Sequence, residues 1–214
     1  MSYYTDTQYS GQLPKGAKKD LKIFFFDSVF KNSKKMLDVG CSVGRIMEIA
    51  PEKFEGIDID KKALEIAKKK GLKVKFANIT EKLPFGKESF DGVYCSQIIE
   101  HLEDPLHLVL EVKRILKKGG KAVFITPDYL ISSRAKRNNF WDDYTHKTPF
   151  TRQSLKKISY DAGLKKFRSY HFPGKIFRQL IRKDIISKER WIKIEDSPFV
   201  TKSHDIVLEI IKQK

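Results

Sequence analysis

The glycine-containing segment from Leu37 to Gly44 most restricts how this chain can fold. The residues Ser33 to Val39 have the length and composition of a short buried strand, and Gly40 and Gly44 allow the backbone to turn sharply after it. We predict a helix from Arg45 to Ala50 immediately after this turn. The free backbone N–H groups at the start of such a helix favour an anionic group near the two glycines.

A second short apolar stretch follows the glycine loop and ends in an acid. Phe54 to Ile57 is predicted to be a strand, and Asp58 follows it, about twenty residues after Asp38. An acid at this place typically binds the two hydroxyls of a ribose, so a ribose-bearing cofactor is predicted. Ser42 stands where a dinucleotide fingerprint has its second glycine, which disfavours a pyrophosphate and leaves a nicotinamide dehydrogenase as a distant alternative.

Four further motifs lie downstream of the loop, namely Leu83-Pro84-Phe85, Ser89-Phe90-Asp91-Gly92-Val93-Tyr94, Glu100-His101-Leu102 and Leu116-Lys117-Lys118-Gly119-Gly120. Together with the glycine loop and Gly56-Ile57-Asp58, they resemble the class I S-adenosylmethionine-dependent methyltransferases, specifically the type 11 and type 23 group with the Glu-His-Leu motif. The resemblance covers Met36 to Asp128. It implies S-adenosyl-L-methionine as the cofactor.

The resemblance also implies a set of cofactor-binding residues, namely Asp38, Gly40, Cys41, Ser42, Gly44, Asp58, Ile59, Asn78, Ile79 and Ser96. Asp58 would bind the ribose, and Ile59 would pack on the face of the adenine. The family usually has an acid where this chain has Asn78, so an amide oxygen would accept the hydrogen bond from the adenine amino group. No metal site is predicted.

Strands and helices alternate along the chain, which predicts an α/β fold. We expect a Rossmann-like, seven-stranded, mostly parallel sheet with helices on both faces and a C-terminal antiparallel strand. The 214 residues suit one domain, 1–214, divided into a cofactor-binding core (33–128), a substrate-side insertion with a basic helix (129–200) and a final strand (201–214). Further predicted helices cover 17–30, 61–70, 105–117 and 151–162, and further strands cover 73–77, 90–96, 120–126 and 204–211.

Cysteine content and hydropathy bear on the compartment. Only Cys41 and Cys95 are present, too few for a disulfide framework, and we expect both to be small buried apolar residues. We recognise neither a secretory signal nor an apolar run long enough to span a bilayer. A cytoplasmic protein is expected, with contact to the inner face of the membrane left open.

The charge distribution bears on partners. The formal net charge is +16, and most of the excess lies in residues 129–214. A basic balance favours an anionic partner, and we expect a small-molecule or lipid-linked anionic acceptor, with nucleic acid less favoured. The alternative is that the lysines form ordinary solvated faces. The sequence gives no information on the oligomeric state.

A basic amphipathic helix is predicted from Lys175 to Ser187. Ile176, Phe177, Leu180, Ile181 and Ile185 fall on one side of it, opposite Lys175, Arg178, Arg182 and Lys183. Such a helix can lie at a membrane surface with Trp191 as an interfacial anchor, or it can pack its apolar side on the core. Exposed charges on this helix are expected to contribute little to folding.

The segment Phe140 to Phe150 holds the predicted catalytic residues. It resembles the D-x-T-H-x-x-P-[FY] segment of methyltransferases implicated in glycan or lipid modification. His146 is the predicted general base, oriented by Asp143. The alternative is a histidine that is bonded to the backbone and only fixes the loop.

Missing motifs narrow the reaction. Cys95-Ser96-Gln97-Ile98 stands where amine-directed enzymes carry [DN]-P-P-[FYW], and no Pro-Cys pair offers a thiolate. O-methylation of a small-molecule, sugar or lipid-linked acceptor is therefore the leading hypothesis. An RNA methyltransferase that uses the basic C-terminal half and a non-catalytic S-adenosylmethionine-binding module are the alternatives.

Overall fold

A computed structural model of the chain describes residues 19–20, 22–134, 139–196 and 202–213. The start of the predicted helix 17–30 therefore lies outside the described residues. The same holds for 135–138 and 197–200 of the predicted insertion, and for 201 and 214 of the predicted final strand. The division of the chain into these three parts stays a prediction.

Among the described residues, seven strands form one sheet, in the order β3-β2-β1-β4-β5-β7-β6. They are β1 (Met36–Val39), β2 (Phe54–Asp58), β3 (Val74–Phe76), β4 (Phe90–Ser96), β5 (Leu116–Pro127), β6 (Phe167–Pro173) and β7 (Lys202–Ile211). The first five strands run parallel, and β7 is antiparallel to both β5 and β6. The predicted fold class is confirmed. Strand β6 was not predicted, because its polar and aromatic residues show no alternation along the sequence.

In the part of the chain that the structure describes, six α-helices of four residues or more flank the sheet. They are α1 (Lys61–Lys69), α2 (Pro105–Ile115), α3 (Tyr129–Ser132), α4 (Arg152–Asp161), α5 (Lys175–Arg182) and α6 (Lys188–Ile194). The side chains of Asp60, Asp104 and Thr151 cap α1, α2 and α4 by accepting backbone N–H bonds, as helix starts require. Shorter turns are a π-helix at Lys22–Phe26 and 3-10 turns at Met47–Ile49, Ile99–His101 and Phe140–Asp142.

The predicted helix from Arg45 to Ala50 is wrong. Only a 3-10 turn forms there, at Met47–Ile49. Ala50 precedes Pro51 and has an extended φ of −152°, since the proline ring disfavours helical backbone in the residue before it. An anion site at the start of a regular helix is therefore not present after the glycine loop.

The apolar residues form two clusters, one on each face of the sheet. Trp191 belongs to the second cluster and is fully buried, with its indole N–H donating to the His171 carbonyl at 2.9 Å. Of the two alternatives left by the sequence, Trp191 therefore follows packing on the core and is not an interfacial anchor. Cys41 and Cys95 are buried free thiols, as predicted.

The predicted amphipathic helix at 175–187 is shorter than its pattern, since α5 ends at Arg182. Its apolar residues are divided: Ile181 is buried, whereas Ile176 and Ile185 are each 61 % exposed. Arg182 is not a solvated surface charge, because it forms two bonds of 2.5 and 2.6 Å with the carboxylate of buried Asp20. Within the described part of the chain, no helix combines the length and apolar character needed to cross a membrane.

Candidate active site

A cleft of about 420 Å³ opens at the edge of the sheet where the parallel strands β1, β2 and β4 end. This edge is where open α/β sheets bind ligands. Nine of the ten predicted cofactor-binding residues line the cleft, namely Asp38, Gly40, Cys41, Ser42, Asp58, Ile59, Asn78, Ile79 and Ser96. His146 and Asp143 line it as well. The structure thus brings both predicted sets into one cavity.

Gly44 is the exception, because it does not line the cleft. Its φ of +79° favours glycine, and a Cβ added there would come within 2.2 Å of the Leu72 side chain. Gly44 therefore allows the loop to pack closely on the segment after α1. Gly40 has the same kind of constraint, since an added Cβ would meet Ile98 at 2.2 Å.

Asp58, at the end of β2, accepts a hydrogen bond from the glycine loop. One carboxylate oxygen accepts the Ser42 N–H at 2.7 Å, and the other accepts the Asp60 N–H at 2.8 Å. Each oxygen has a second lone pair, so the carboxylate can still accept hydrogen bonds from a ligand's hydroxyls. Ser42 has a φ of +47°, in the left-handed region where the resembling family more often has glycine.

Asp38 is a second acid beneath the same loop, and it is almost fully buried. Burial and the nearby negative charge of Asp58 raise the pKa of Asp38 to about 8. The pKa of Asp58 is also raised, mainly by burial. Two carboxyl groups that are costly to ionise together favour a cationic ligand between or beside them.

Residues after β2 and β3 form the opposite wall. Ile59 is 61 % exposed there, and Ile79 packs partly against the core. The amide oxygen of Asn78 accepts both the backbone N–H and the hydroxyl of Thr80, at 3.1 and 2.9 Å. This geometry does not support the predicted hydrogen bond from an adenine amino group to that oxygen, which already has two donors.

His146 is held by the backbone of its own loop. Its Nδ1 lies 2.5 Å from the Phe140 carbonyl oxygen, and its ring packs on the Phe140 ring with 4.4 Å between centroids. A carbonyl can only accept, so Nδ1 carries the proton and Nε2 of the neutral ring has the lone pair. The nearest Asp143 oxygen is 4.0 Å from Nε2. At this distance Asp143 acts on His146 as a neighbouring charge and not through a hydrogen bond, and its orienting role stays a prediction.

Asp143 is also linked to a second histidine, His101, through Thr145. The Thr145 hydroxyl donates to Asp143 at 2.5 Å and lies 2.9 Å from Nδ1 of His101. The hydrogen bonds from Thr145 outweigh burial and keep the pKa of Asp143 below its usual value. Burial, followed by the neighbouring His146, lowers the pKa of His101.

Several cleft residues were not predicted from the sequence. Tyr94 and Gln97 line the cleft, and Tyr94 pairs with Asp38 across β1 and β4. The position of Gln97 directly after β4 is a signal that could have identified it. Glu100 is fully buried beside the cleft wall, and burial raises its pKa to about 8.

The sheet order and the cleft at the ends of β1, β2 and β4 define the class I S-adenosylmethionine-dependent methyltransferase fold. Residues 37–124 match the family model of the methyltransferase domain.

Solved structures of low sequence identity share the fold. A S-adenosylmethionine-dependent methyltransferase from Archaeoglobus fulgidus is 20 % identical, with a TM-score of 0.69 over 99 % of this chain and 100 % of its own. Phosphoethanolamine N-methyltransferase 2 from Haemonchus contortus, solved with S-adenosyl-L-methionine, is 16 % identical, with a TM-score of 0.72 over 99 % of this chain and 59 % of its own.

Curated relatives share sequence over the cofactor-binding part. An uncharacterised protein of Methanocaldococcus jannaschii is 39 % identical over 87 residues, which are 41 % of this chain and 42 % of that protein. A ubiquinone biosynthesis O-methyltransferase of Pseudomonas entomophila is 33 % identical over 105 residues, 44 % of each chain. The chain therefore spans less than half the length of the curated relatives it matches.

S-adenosylmethionine is the cofactor expected for this family, and the residues present fit it. The carboxyl groups of the buried Asp38 and the half-buried Asp58 become easier to ionise beside its sulfonium and ammonium groups, and Asp58 retains lone pairs for ribose hydroxyls. Ile59 presents apolar surface that an adenine ring would cover. The buried hydroxyl of Ser42 has no hydrogen-bond partner among the described residues, which leaves one polar group available to a ligand.

Proposed function

We propose that this protein transfers a methyl group from S-adenosylmethionine to an oxygen atom of a small-molecule, sugar or lipid-linked acceptor. The cofactor supplies an electrophilic methyl group. The chain must align the acceptor oxygen with that group, exclude water, and remove or hold the proton of the acceptor hydroxyl.

The observation that carries the proposal is the position of His146 in the wall of the cofactor cleft. The Phe140 carbonyl fixes its tautomer, so that Nε2 presents a lone pair. A group of this kind acts on a hydroxyl as its base or by orienting it. The backbone of the loop holds His146, and His146 also lines the cleft, which supports a role for it on the acceptor.

Exposed aromatic residues of the same loop support an acceptor with an apolar part. Trp141 is 53 % exposed and Tyr144 is 81 % exposed, and both are close in sequence to His146. On α5, Ile176 and Ile185 add further exposed apolar surface. These residues support a lipid-linked acceptor and peripheral contact with a membrane as part of the proposal.

The charges of the C-terminal half give less support to RNA. Many of its cations are paired with acids within the described residues, including Arg152 with Asp196, Arg168 with Glu209 and Arg182 with Asp20. Paired cations have less charge to offer to phosphates. RNA methylation remains an outcome of the test.

The test is incubation with radiolabelled S-adenosylmethionine and separated lipid, small-molecule and RNA extracts. Label is expected in the lipid or small-molecule pool. His146→Ala should lower kcat by about 10²-fold or more with cofactor affinity nearly unchanged. His107→Ala is the matched control, since His107 lies on α2 and contacts the Glu81 carbonyl. Label confined to RNA, or cofactor binding with no transfer to any pool, would overturn the proposal.

A further inference from the structure

The two carboxylate oxygens of Asp143 differ in their hydrogen bonds. Oδ1 accepts the backbone N–H of Thr145 at 2.9 Å and the Thr145 hydroxyl at 2.5 Å. Oδ2 accepts no hydrogen bond from the residues that the structure describes. Asp143 lines the cleft, and its side chain is 20 % exposed. Oδ2 can therefore accept a hydrogen bond from a ligand in the cleft.

Asp143 is ionised at neutral pH. Burial by itself would raise the pKa of Asp143, but the two hydrogen bonds from Thr145 and the nearby histidine rings outweigh burial and keep this pKa below its usual value. An ionised carboxylate only accepts hydrogen bonds, and it is too weak a base to remove the proton of a hydroxyl. A hydroxyl bound to Oδ2 therefore keeps its proton.

A second hydrogen-bond acceptor lies beside Oδ2. Nδ1 of His146 donates to the Phe140 carbonyl, so Nε2 of the neutral ring has the lone pair. Nε2 of His146 and Oδ2 of Asp143 are 4.0 Å apart, and both residues line the cleft. Two acceptors cannot bond to one another, and one hydroxyl has only one proton to give. A ligand that satisfies both atoms must therefore bring two donor groups.

The separation of the two acceptors fits two hydroxyls on neighbouring carbon atoms. When such hydroxyls lie on the same side of the molecule, their oxygens are about 2.8 Å apart, which is also the usual length of an O–H···O hydrogen bond. Each oxygen can then lie at hydrogen-bond distance from its own acceptor, because the acceptors are 4.0 Å apart. A ligand with a single hydroxyl would leave one of the two acceptors without a donor.

We propose that Asp143 selects a methyl acceptor with two hydroxyls on neighbouring carbons, as in a sugar or another polyol. Nε2 of His146 faces the hydroxyl that is methylated, and Oδ2 of Asp143 accepts a hydrogen bond from the hydroxyl beside it. This inference rests on the proposed function for methyl transfer, but binding of the diol does not depend on transfer. The expected product is a monomethyl ether with a free hydroxyl on the next carbon.

The charge of Asp143 also excludes some acceptors. A phosphate or carboxylate group next to the reacting hydroxyl would lie beside the ionised Asp143, and two like charges at short distance repel one another. Any anionic group of the acceptor must therefore lie further along the molecule, away from Asp143. The carboxylate thus favours a neutral, hydroxyl-bearing part of the acceptor at the site of transfer.

Asp142 provides the matched control in the same loop. Its carboxylate accepts the backbone N–H of Asn139 at 2.7 Å, and Asp142 does not line the cleft. Asp142→Asn therefore removes a negative charge from the loop without changing a group that faces the cleft. Asp143→Asn keeps one oxygen for the hydrogen bonds from Thr145, but it places an NH₂ group where Oδ2 was.

Binding is tested on the whole chain in the presence of S-adenosylhomocysteine, the demethylated product of the cofactor, so that no transfer takes place. Ligand-observed NMR titration measures the Kd of cis-1,2-cyclohexanediol, cyclohexanol and cis-2-methoxycyclohexanol. The wild type should bind the diol at least about fivefold more tightly than either other probe, because only the diol has a second proton for the charged acceptor. Asp143→Asn should reduce this preference to less than about twofold, and Asp142→Asn should keep it.

The outcomes separate this inference from the proposed function. No preference for the diol in the wild type, absence of binding included, overturns the inference whether or not methyl transfer is found. The same preference in folded Asp143→Asn also overturns it. Thermal unfolding verifies that each variant is folded, and the comparison of probes in the wild type keeps the test decisive if Asp143→Asn is not.

The labelled product gives a second, independent readout. Where methyl transfer to an extract is found, NMR of the product should place a free hydroxyl on the carbon next to the methyl ether. A product without that hydroxyl would overturn the inference while the proposed function stands. A preference for the diol with no methyl transfer to any extract supports the diol site and overturns the proposed function.

Discussion

Two acids at the glycine loop, the buried Asp38 and the half-buried Asp58, determine how the cleft responds to a cofactor. Asp38 lies under the loop with a pKa of about 8, raised by burial and by Asp58. At pH 7 the free protein therefore holds Asp38 mainly protonated. A cationic sulfonium or ammonium group nearby favours the carboxylate and lowers this pKa.

Cofactor binding is therefore expected to release protons near neutral pH. Calorimetry of S-adenosylmethionine binding at pH 7, in buffers of different ionisation enthalpy, should give an apparent enthalpy that varies with the buffer in the sense of proton release. Asp38→Asn should abolish most of this dependence, because an amide has no proton to give up in this range. Buffer-independent enthalpy in the wild type would contradict the assigned state of Asp38.

Residue identities in the cleft were predictable, whereas their orientations were not. The acids and the glycines stand in a spaced pattern that the backbone requires, so the sequence points to them. The contact of His146 with the Phe140 carbonyl has no signature in the sequence, because every residue has a backbone carbonyl. The link from Asp143 to His101 needs Thr145 to turn back onto its own loop, which spacing alone does not indicate.

At the scale of elements, α5 is shorter than the helix that its apolar periodicity predicts. The apolar pattern continues to Ile185, yet the helix ends at Arg182, and Asp184 has a φ of +55°. The pattern located the helix but gave no information on the partner of its charged face. That partner is Asp20, more than a hundred and fifty residues earlier in the chain.

For this helix we predict that substitutions of two neighbouring cations, Arg182 and Lys183, lower the free energy of unfolding by different amounts. Arg182→Gln leaves the buried Asp20 carboxylate, among the described residues, with the more distant Arg178 at 3.7 Å, and should lower the free energy of unfolding by about 1–2 kcal/mol. Lys183→Gln, one residue beyond the helix, should change it by less than about 0.5 kcal/mol. Urea unfolding of the two variants measures the difference. Equal effects would contradict the role of the pair and restore the expectation that these charges contribute little.

At the scale of the whole molecule, the parallel part of the sheet was predictable, because short apolar runs followed by glycine or acid recur along it. The C-terminal, antiparallel part of the sheet and the helices beside it were less predictable. Strand β6 contains the buried His171 and ends at Pro173, and the sequence left a surface role open for Trp191, whose N–H is satisfied in the core. The positions of these residues depend on tertiary contacts, which the local sequence pattern does not encode.

The central claim is that the cleft at the ends of β1, β2 and β4 binds S-adenosylmethionine, with Asp58 as a main contact. Asp91 provides the matched control: it also accepts two backbone N–H bonds, from Lys34 and Lys35, but it does not line the cleft. Loss of Asp91 therefore reproduces the loss of loop hydrogen bonds without the loss of a cofactor contact.

The most direct measurement is isothermal titration of S-adenosylmethionine, and of its demethylated product, into the wild type, Asp58→Ala and Asp91→Ala. The account predicts one site per chain in the wild type and about 30-fold weaker binding in Asp58→Ala, equivalent to about 2 kcal/mol, because the ribose hydroxyls lose their buried acceptor. Asp91→Ala should bind as the wild type does. Absence of binding in the wild type, or unchanged affinity in Asp58→Ala, would contradict the account.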